Sequence, residues 1–290
     1  MNKIKSVVVL LAVLVLASIV SCKKEGVYSP SKKIQRVYAS SFYASKHLTE
    51  SWDWDDNLVE SIDHYYATGT LYRTENFTYD GNRLTRVDDY AGSCYTAYEY
   101  DGSHLKSSNF YRRNNLEIAA SYTYSGNKLS QMVITYYNYV KNGQPEFAYL
   151  PFSAELNKAI DKCFAQVSVD NMEKRVMTLT LQFTWDGENI SKIVSKEDTS
   201  TVTIGLQYDN KKNPLQGFHC LKSEMTDEYN PAGIHSKNNI TAMVIYYSSG
   251  SNDVITYTYQ YDSDGYPIIV SEKNSSDLFD YQITTYYEYE

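Results

Sequence analysis

One short pattern recurs along the chain and limits its fold more than any other feature: aromatic-x-aromatic-Asp, a Gly/Asn turn, then an aliphatic residue. It appears at Trp52-x-Trp54-Asp55, Phe77-x-Tyr79-Asp80, Tyr98-x-Tyr100-Asp101, Tyr122-x-Tyr124-Ser125, Phe183-x-Trp185-Asp186, Leu206-x-Tyr208-Asp209 and Tyr259-x-Tyr261-Asp262, and ends in Tyr287-x-Tyr289. Asp-Gly and Gly-Asn supply the positive-φ positions of a tight turn. The residues before each turn alternate as a strand's must: Met177, Leu179, Leu181, Phe183 and Trp185 share one face, with Thr178, Thr180, Gln182 and Thr184 opposite. Ile255, Tyr257, Tyr259 and Tyr261 do the same against Thr256, Thr258 and Gln260. Such alternation belongs to antiparallel strands buried on one side.

Turn positions Asp55, Asp80, Asp101 and Ser125 stand 25, 21 and 24 residues apart. That leaves about ten residues per strand once turns are removed, so each unit is a hairpin and the chain a long meander. The pattern predicts an all-β fold: repeated Tyr-x-Tyr-Asp hairpins forming a strongly curved antiparallel sheet or barrel, with one inserted helix. That helix is expected in the insertion 141–176, where Leu156, Ala159, Ile160, Cys163, Phe164 and Val167 recur at helical spacing after Ser153.

The 290 residues are 42% hydrophobic and include 30 tyrosines against 6 prolines, a composition for a packed chain and not a disordered one. A net charge of −8 with no basic block argues against nucleic acid, which needs a concentrated cationic surface. Met1–Lys5 carries two lysines, and Val7–Val20 is an uncharged run too short to span a bilayer as a helix, so 1–21 is expected to be a signal peptide. Its end, Ile19-Val20-Ser21-Cys22, resembles a bacterial lipobox. The resemblance implies lipidation of Cys22 and attachment to the outer membrane, on either leaflet. Residues 22–33 would then be the lipidated cysteine and a flexible tether, and 34–290 a single β-repeat domain.

The units resemble the tyrosine–aspartate (YD) repeats of Rhs and teneurin proteins, most of all in Tyr79-Asp-Gly-Asn-Arg-Leu-Thr-Arg-Val87. The whole arrangement resembles a family of bacterial outer-membrane lipoproteins of unknown function with a porin-like fold. The shared features are the lipobox, the Tyr-x-Tyr-Asp turns, Tyr208-Asp-Asn-Lys-Lys-Asn-Pro214 and Asn238-Asn-Ile-Thr241. The resemblance covers roughly residues 34–290 and implies a curved sheet or barrel, without an activity.

Catalytic motifs are absent from the sequence. Gly92-Ser-Cys94-Tyr95 imitates part of a papain-type nucleophile site, but such a cysteine heads a helix, whereas Tyr95–Tyr100 alternates as a strand. No metal ligand set or cofactor motif emerges: Asp53-x-Asp55-x-Asn57 lacks the Gly and terminal Glu of a calcium loop. Cys94, Cys163 and Cys220 allow one disulfide. The candidate ligand-binding residues are aromatic: Trp52, Trp54 and Trp185 could stack on sugar rings, and Tyr137, Tyr247 and Tyr286 belong to adjacent pairs that must put one ring on each face. As core of the sheet, the tryptophans would be unavailable.

The favoured expectation is a lipid-anchored, non-enzymatic envelope protein, a binding or structural module for a glycan or another envelope protein; a mean hydropathy of −0.48 suits water. The alternative is an outer-membrane barrel pore, since ten-residue alternating strands can cross a bilayer. Against it stand Arg73 and Glu75, on one face with Phe77 and Tyr79. An uncharacterised hydrolase is the third reading.

Overall fold

The computed structural model describes residues 24–41, 44–89, 93–139, 175–197, 200–218, 231–248, 250–276 and 279–290. Its strands are β1 (Ile34–Ser41), β2 (Ala44–Asp55), β3 (Leu58–Tyr65), β4 (Leu71–Asp80), β5 (Arg83–Asp89), β6 (Cys94–Asp101), β7 (His104–Arg112) and β8 (Asn115–Ser125). There follow β9 (Lys128–Tyr139), β10 (Arg175–Asp186), β11 (Asn189–Glu197), β12 (Ser200–Tyr208), β13 (Ile240–Tyr247), β14 (Asn252–Tyr261), β15 (Pro267–Ser276) and β16 (Phe279–Tyr289). Each pairs antiparallel with its chain neighbours, and β16 closes on β1 from Ile34↔Tyr289 to Ser41↔Ile283. The expected meander is a closed sixteen-stranded barrel, which leaves no free sheet edge.

The repeat builds the same joint at hairpin after hairpin. Thr78 pairs with Arg86 but Tyr79 with Leu84, so Thr85 is an extra residue, a β-bulge; the same step falls at Lys106, Ser130 and Ser191. Where the extra residue is Ser or Thr, its hydroxyl donates back across the hairpin: Thr85 to Thr78 O at 3.0 Å, Ser130 to Thr123 O at 2.9 Å, Ser191 to Thr184 O at 3.2 Å. The bulge disrupts the ladder beside the aliphatic residue, and the aromatic of the following hairpin takes that residue's carbonyl. Tyr79 Oη donates to Val59 O (2.9 Å), Tyr100 to Leu84 O (2.6 Å), Trp185 Nε1 to Leu129 O (2.7 Å) and Tyr208 Oη to Ile190 O (2.6 Å). At these four hairpins the aromatic before the turn thus satisfies a backbone acceptor on the preceding hairpin while packing its ring into the lumen. Burial lifts the Tyr100, Tyr124 and Tyr208 hydroxyls above their ordinary range, which keeps them neutral donors.

The apolar side of the alternation faces inward. Leu179, Leu181, Ile193, Ile204, Met243, Ile245 and Ile255 are fully buried in the lumen, in one cluster with Leu129, Met132 and Ile134. A second cluster, on β1–β7, holds Val37, Trp52, Val59, Ile62, Leu84, Val87 and Tyr98. The outward side reads Thr178, Thr180, Gln182 and Thr184 on β10, Lys192, Val194 and Lys196 on β11, and Thr256, Thr258 and Gln260 on β14. On β2 to β4 it reads Ser51 and Asp53, Ser61 and Asp63, then Thr74, Asn76 and Thr78.

Two segments close the end of the barrel where the Asp-Gly turns lie. Residues 24–33, expected as a flexible tether, are instead fastened across it. Glu25 N donates to Ser103 O (2.9 Å), Leu84 N to Gly26 O (2.8 Å) and Arg83 Nε to Glu25 O (3.0 Å), and Tyr28 is buried with its hydroxyl on Pro214 O (2.6 Å). Gly26 has φ +79°, and a Cβ there would overlap the Tyr100 ring. Serine and proline content resembles a linker's, but Tyr28 has an aromatic pocket to fill, and that decides the matter. The second segment leaves the barrel after β12 and returns at β13. It carries Phe218, whose ring lies 5.0 Å from those of both Tyr28 and Trp52, and α1 (Pro231–His235).

The sequence allows only one helix, within 141–176. That stretch lies outside the described residues apart from 175 and 176, which open β10, whereas α1 is a described helix too short to show periodicity. The Asn-rich motifs hold this excursion in place: Asn239 N and its amide reach Asp209, Asn213 Nδ2 donates to Gly233 O and Ser236 O, and Asn238 meets Asn189.

Candidate functional site

The lumen changes character toward the end opposite the strap. On β2 to β5 the inward positions stop being apolar and become Glu50, His64, Arg73, Glu75 and Asp89, all buried. The strand alternation alone brings them together: Glu50 pairs with His64, His64 with Arg73, and Glu75 with Asp89 across neighbouring strands, so their side chains share one face.

His64 is the centre of the group. Its Nδ1 lies 3.5 Å from Glu50 Oε1 and its Nε2 3.3 Å from Glu75 Oε2. Arg73 donates through Nη2 to Glu75 Oε1 at 2.9 Å and lies through Nη1 3.7 Å from Asp89 Oδ2. Arg73 Nη2 is also 3.3 Å from His64 Nε2. Glu50 is held from the other side by Trp52 Nε1 at 2.9 Å. Nε2 therefore stands between a donor and an acceptor. A neutral ring accepts there from Arg73, while an imidazolium donates to Glu75 and, through Nδ1, to Glu50. Three carboxyl groups face one guanidinium and one imidazole, so acidic groups outnumber basic ones in the cluster. Burying such charges costs several kcal/mol per ion, and pairing restores little more than that; the cluster is a poor device for stability alone. Arg112 pairs with Glu117 at 3.1 Å toward the same end, and on the far wall Tyr247 Oη donates to Asp253 at 2.6 Å.

The six aromatic candidates do not form one site. Trp52 is buried and stacks on Trp54 at 6.1 Å; Trp54 donates through Nε1 to Ile34 O at 2.8 Å, and Trp185 is tied to Leu129. All three belong to the lumenal packing. Tyr137 and Tyr286 point outward, the latter with Lys46 Nζ 4.4 Å from its ring centre. Tyr247 points inward, and its neighbour Tyr246 is the exposed member of that pair. Each adjacent pair does put one ring on each face, as the strand geometry requires. Cys94 opens β6 as a buried free thiol facing the lumen; Cys163 and Cys220, with Cys22, lie outside the described residues. Among the described residues no group of three or more His, Cys, Asp or Glu could hold a metal ion.

Arg73 and Glu75, which count against a membrane-facing surface when read from sequence, lie on the lumenal side, so that objection to a pore lapses. The charged cluster is the feature that sequence alone hides: its members are spread over 40 residues with no motif, and the one available signal is charge at inward positions of four neighbouring strands.

No family model matches the chain, and no curated protein matches it. Among solved structures, a porin-like protein from Bacteroides vulgatus aligns over 90% of this chain and 99% of its own, at 10% identity and a TM-score of 0.53. A porin-like protein from Bacteroides uniformis aligns over 89% and 98%, at 13% identity and a TM-score of 0.34. The fold is that of a porin-like barrel. This likeness favours the barrel that the pore alternative requires and adds nothing for a glycan- or protein-binding role.

Proposed function

We propose that the protein is an envelope lipoprotein, acylated at Cys22, whose porin-like barrel stands in water and acts as a non-enzymatic binding or structural module. One observation carries this reading: the barrel's polarity is the reverse of a membrane-spanning barrel's. Spanning strands alternate apolar-out and polar-in. Here Ile, Leu, Val and the aromatics line the lumen, while Thr, Gln, Ser, Asp and Lys cover the outside. Lysines such as Lys192, Lys196 and Lys273 would each cost roughly 2–4 kcal/mol near a bilayer midplane. The partner is a glycan or another envelope protein, with Tyr137, Tyr246 and Tyr286 as outward rings and the charged lumenal end as the chemically distinctive surface.

The pore remains the second reading, favoured by closure of the barrel and by its porin-like likeness. It requires the polar outer face to meet acyl chains, and the strap and the aromatic packing to leave the lumen. One measurement separates the two. Residues 23–290, made without signal peptide or lipid cysteine, are expected to run as a soluble, monodisperse species in size-exclusion chromatography without detergent. A chain that folds only in detergent or lipid overturns the water-facing reading, and conductance across a planar bilayer then tests the pore.

A further inference from the structure

The strap determines which end of the barrel an anchored molecule turns toward a membrane. Cys22 precedes Lys24 by two residues, so their Cα atoms are at most about 7.6 Å apart. From Glu25 onward the chain has no slack. Glu25 Oε2 accepts from Leu105 N (2.6 Å) and Tyr124 Oη (2.5 Å), Gly26 lies against the Tyr100 ring, Tyr28 is buried, and Lys32 Nζ reaches Asp262 (2.7 Å) and Asp264 (2.6 Å). These contacts reach from β7 and β8 to the turn after β14, so the segment is fixed across the whole end of the barrel.

We infer that the strapped end is the membrane-facing end: a lipid bilayer surface docks against its Asp-Gly turns, and the end bearing Glu50, His64, Arg73, Glu75 and Asp89 points away. The inference rests on the acylation of Cys22 proposed above. An acyl chain on that residue enters the bilayer, and the few ångströms of chain before Glu25 hold the turns at Asn57, Asn82, Ser103 and Asn127 close to the headgroups. These tips are small and polar, suited to lying on headgroups without entering the hydrocarbon, and the polar outer wall above them stays in water. Asp56, Asp80 and Asp101 on the same rim offset Lys24 and Lys128, so attachment comes from the lipid and not from charge, and zwitterionic vesicles suffice.

The test uses the full-length acylated protein on phosphatidylcholine vesicles that carry a contact quencher on the headgroup. A fluorescent amino acid is placed at Asn57 or at Thr68, exposed turns at opposite ends of β3 and roughly 25 Å apart. Quenching several-fold stronger at Asn57 than at Thr68 is the expected result. Equal quenching, or stronger quenching at Thr68, on a chain that mass spectrometry shows to be acylated overturns the orientation and leaves the anchor standing. A chain without an acyl group overturns the anchor, and the orientation with it. Ten Gly/Ser residues inserted after Lys23 are expected to abolish the difference; a difference that survives the insertion overturns the role given to the short strap.

Discussion

The two walls of the lumen are built from the same hairpin and end differently. From β9 to β13 the inward positions stay apolar well beyond the bulge, through Met132, Ile134, Leu179, Leu181, Ile193, Ile204, Met243 and Ile245, and the buried Ser195 that follows Ile193 on β11 is uncharged. From β2 to β5 they begin equally apolar, with Trp52, Val59 and Leu84, and finish in Glu50, His64, Arg73, Glu75 and Asp89. The repeat governs only the half of each hairpin near its turn, where an aromatic must reach a carbonyl and a bulge must fit. Beyond that half the strand needs only to alternate, and the inward residues are free to carry chemistry. The wall that exploits this freedom is the one with the candidate site.

Arg73→Met attacks the difference most directly. It leaves Glu75 and Asp89 buried without their guanidinium partner, and breaking a buried ion pair costs about 3–5 kcal/mol. Urea unfolding followed by tyrosine and tryptophan fluorescence is expected to show that loss. Replacing Glu50, His64, Arg73, Glu75 and Asp89 together with apolar residues of like size is expected to recover most of it. If the fivefold variant stays as unstable as Arg73→Met, the cluster holds the wall together and the two walls are mechanically alike.

On the apolar wall, Ile193→Ala removes a fully buried side chain from a close-packed cluster and should cost about 3 kcal/mol by the same measurement. A cost near zero would mean that this wall is loosely filled, and the contrast between the walls would then be one of packing as well as charge. Gly26→Ala comes next, at about 2 kcal/mol, because it puts a Cβ on a positive-φ residue and into the Tyr100 ring. Hydrogen exchange should rise in 24–33 and in the turn at 101–104 and remain unchanged around His64. Trp185→Phe keeps the ring and loses the bond to Leu129 O, for about 1 kcal/mol.

Much of this barrel was legible because the repeat is physical chemistry written in short range. Asp-Gly turns give the hairpins, alternation gives the faces, and seven closely similar copies leave the chain little choice but a curved meander. The bulge was written there too: Leu84-Thr85, Leu129-Ser130 and Ile190-Ser191 place a hydroxyl residue directly after the aliphatic one, and its role shows only when the pairing register is seen. Closure was not legible, since nothing local says that Ile34 meets Tyr289. The cluster escaped for the same reason, as Glu50 and Asp89 become neighbours only through the intervening strands. Residues 24–33 misled because a strap and a linker share a composition; the difference lies in whether something waits to receive Tyr28.

The smallest expected effect concerns pH at the strap. At Asp262 desolvation raises the carboxyl pKa, but hydrogen bonds from Lys32 and from the amides of Tyr266 and Asp264 outweigh it and hold the group below the ordinary carboxylate value; at Lys32 the bonds to Asp262 and Asp264 hold the ammonium above its own. A lowered carboxylate contributes above its unfolded value, near 3.8, and loses that contribution as pH falls through its folded one. A raised ammonium contributes below its unfolded value, near 10.5, and loses it as pH rises through its folded one. Between about pH 4 and pH 10 the strap is therefore held at full strength. Outside that window amide exchange at residues 31–33, corrected for the intrinsic pH dependence, should quicken, slightly because the pair is solvent-exposed and screened. In Lys32→Met the quickening should vanish on both sides. If acid loosened the charged wall before the strap, His64 and its carboxylates would be the more labile end of the barrel, and the end assigned to the membrane would be the more rigid of the two.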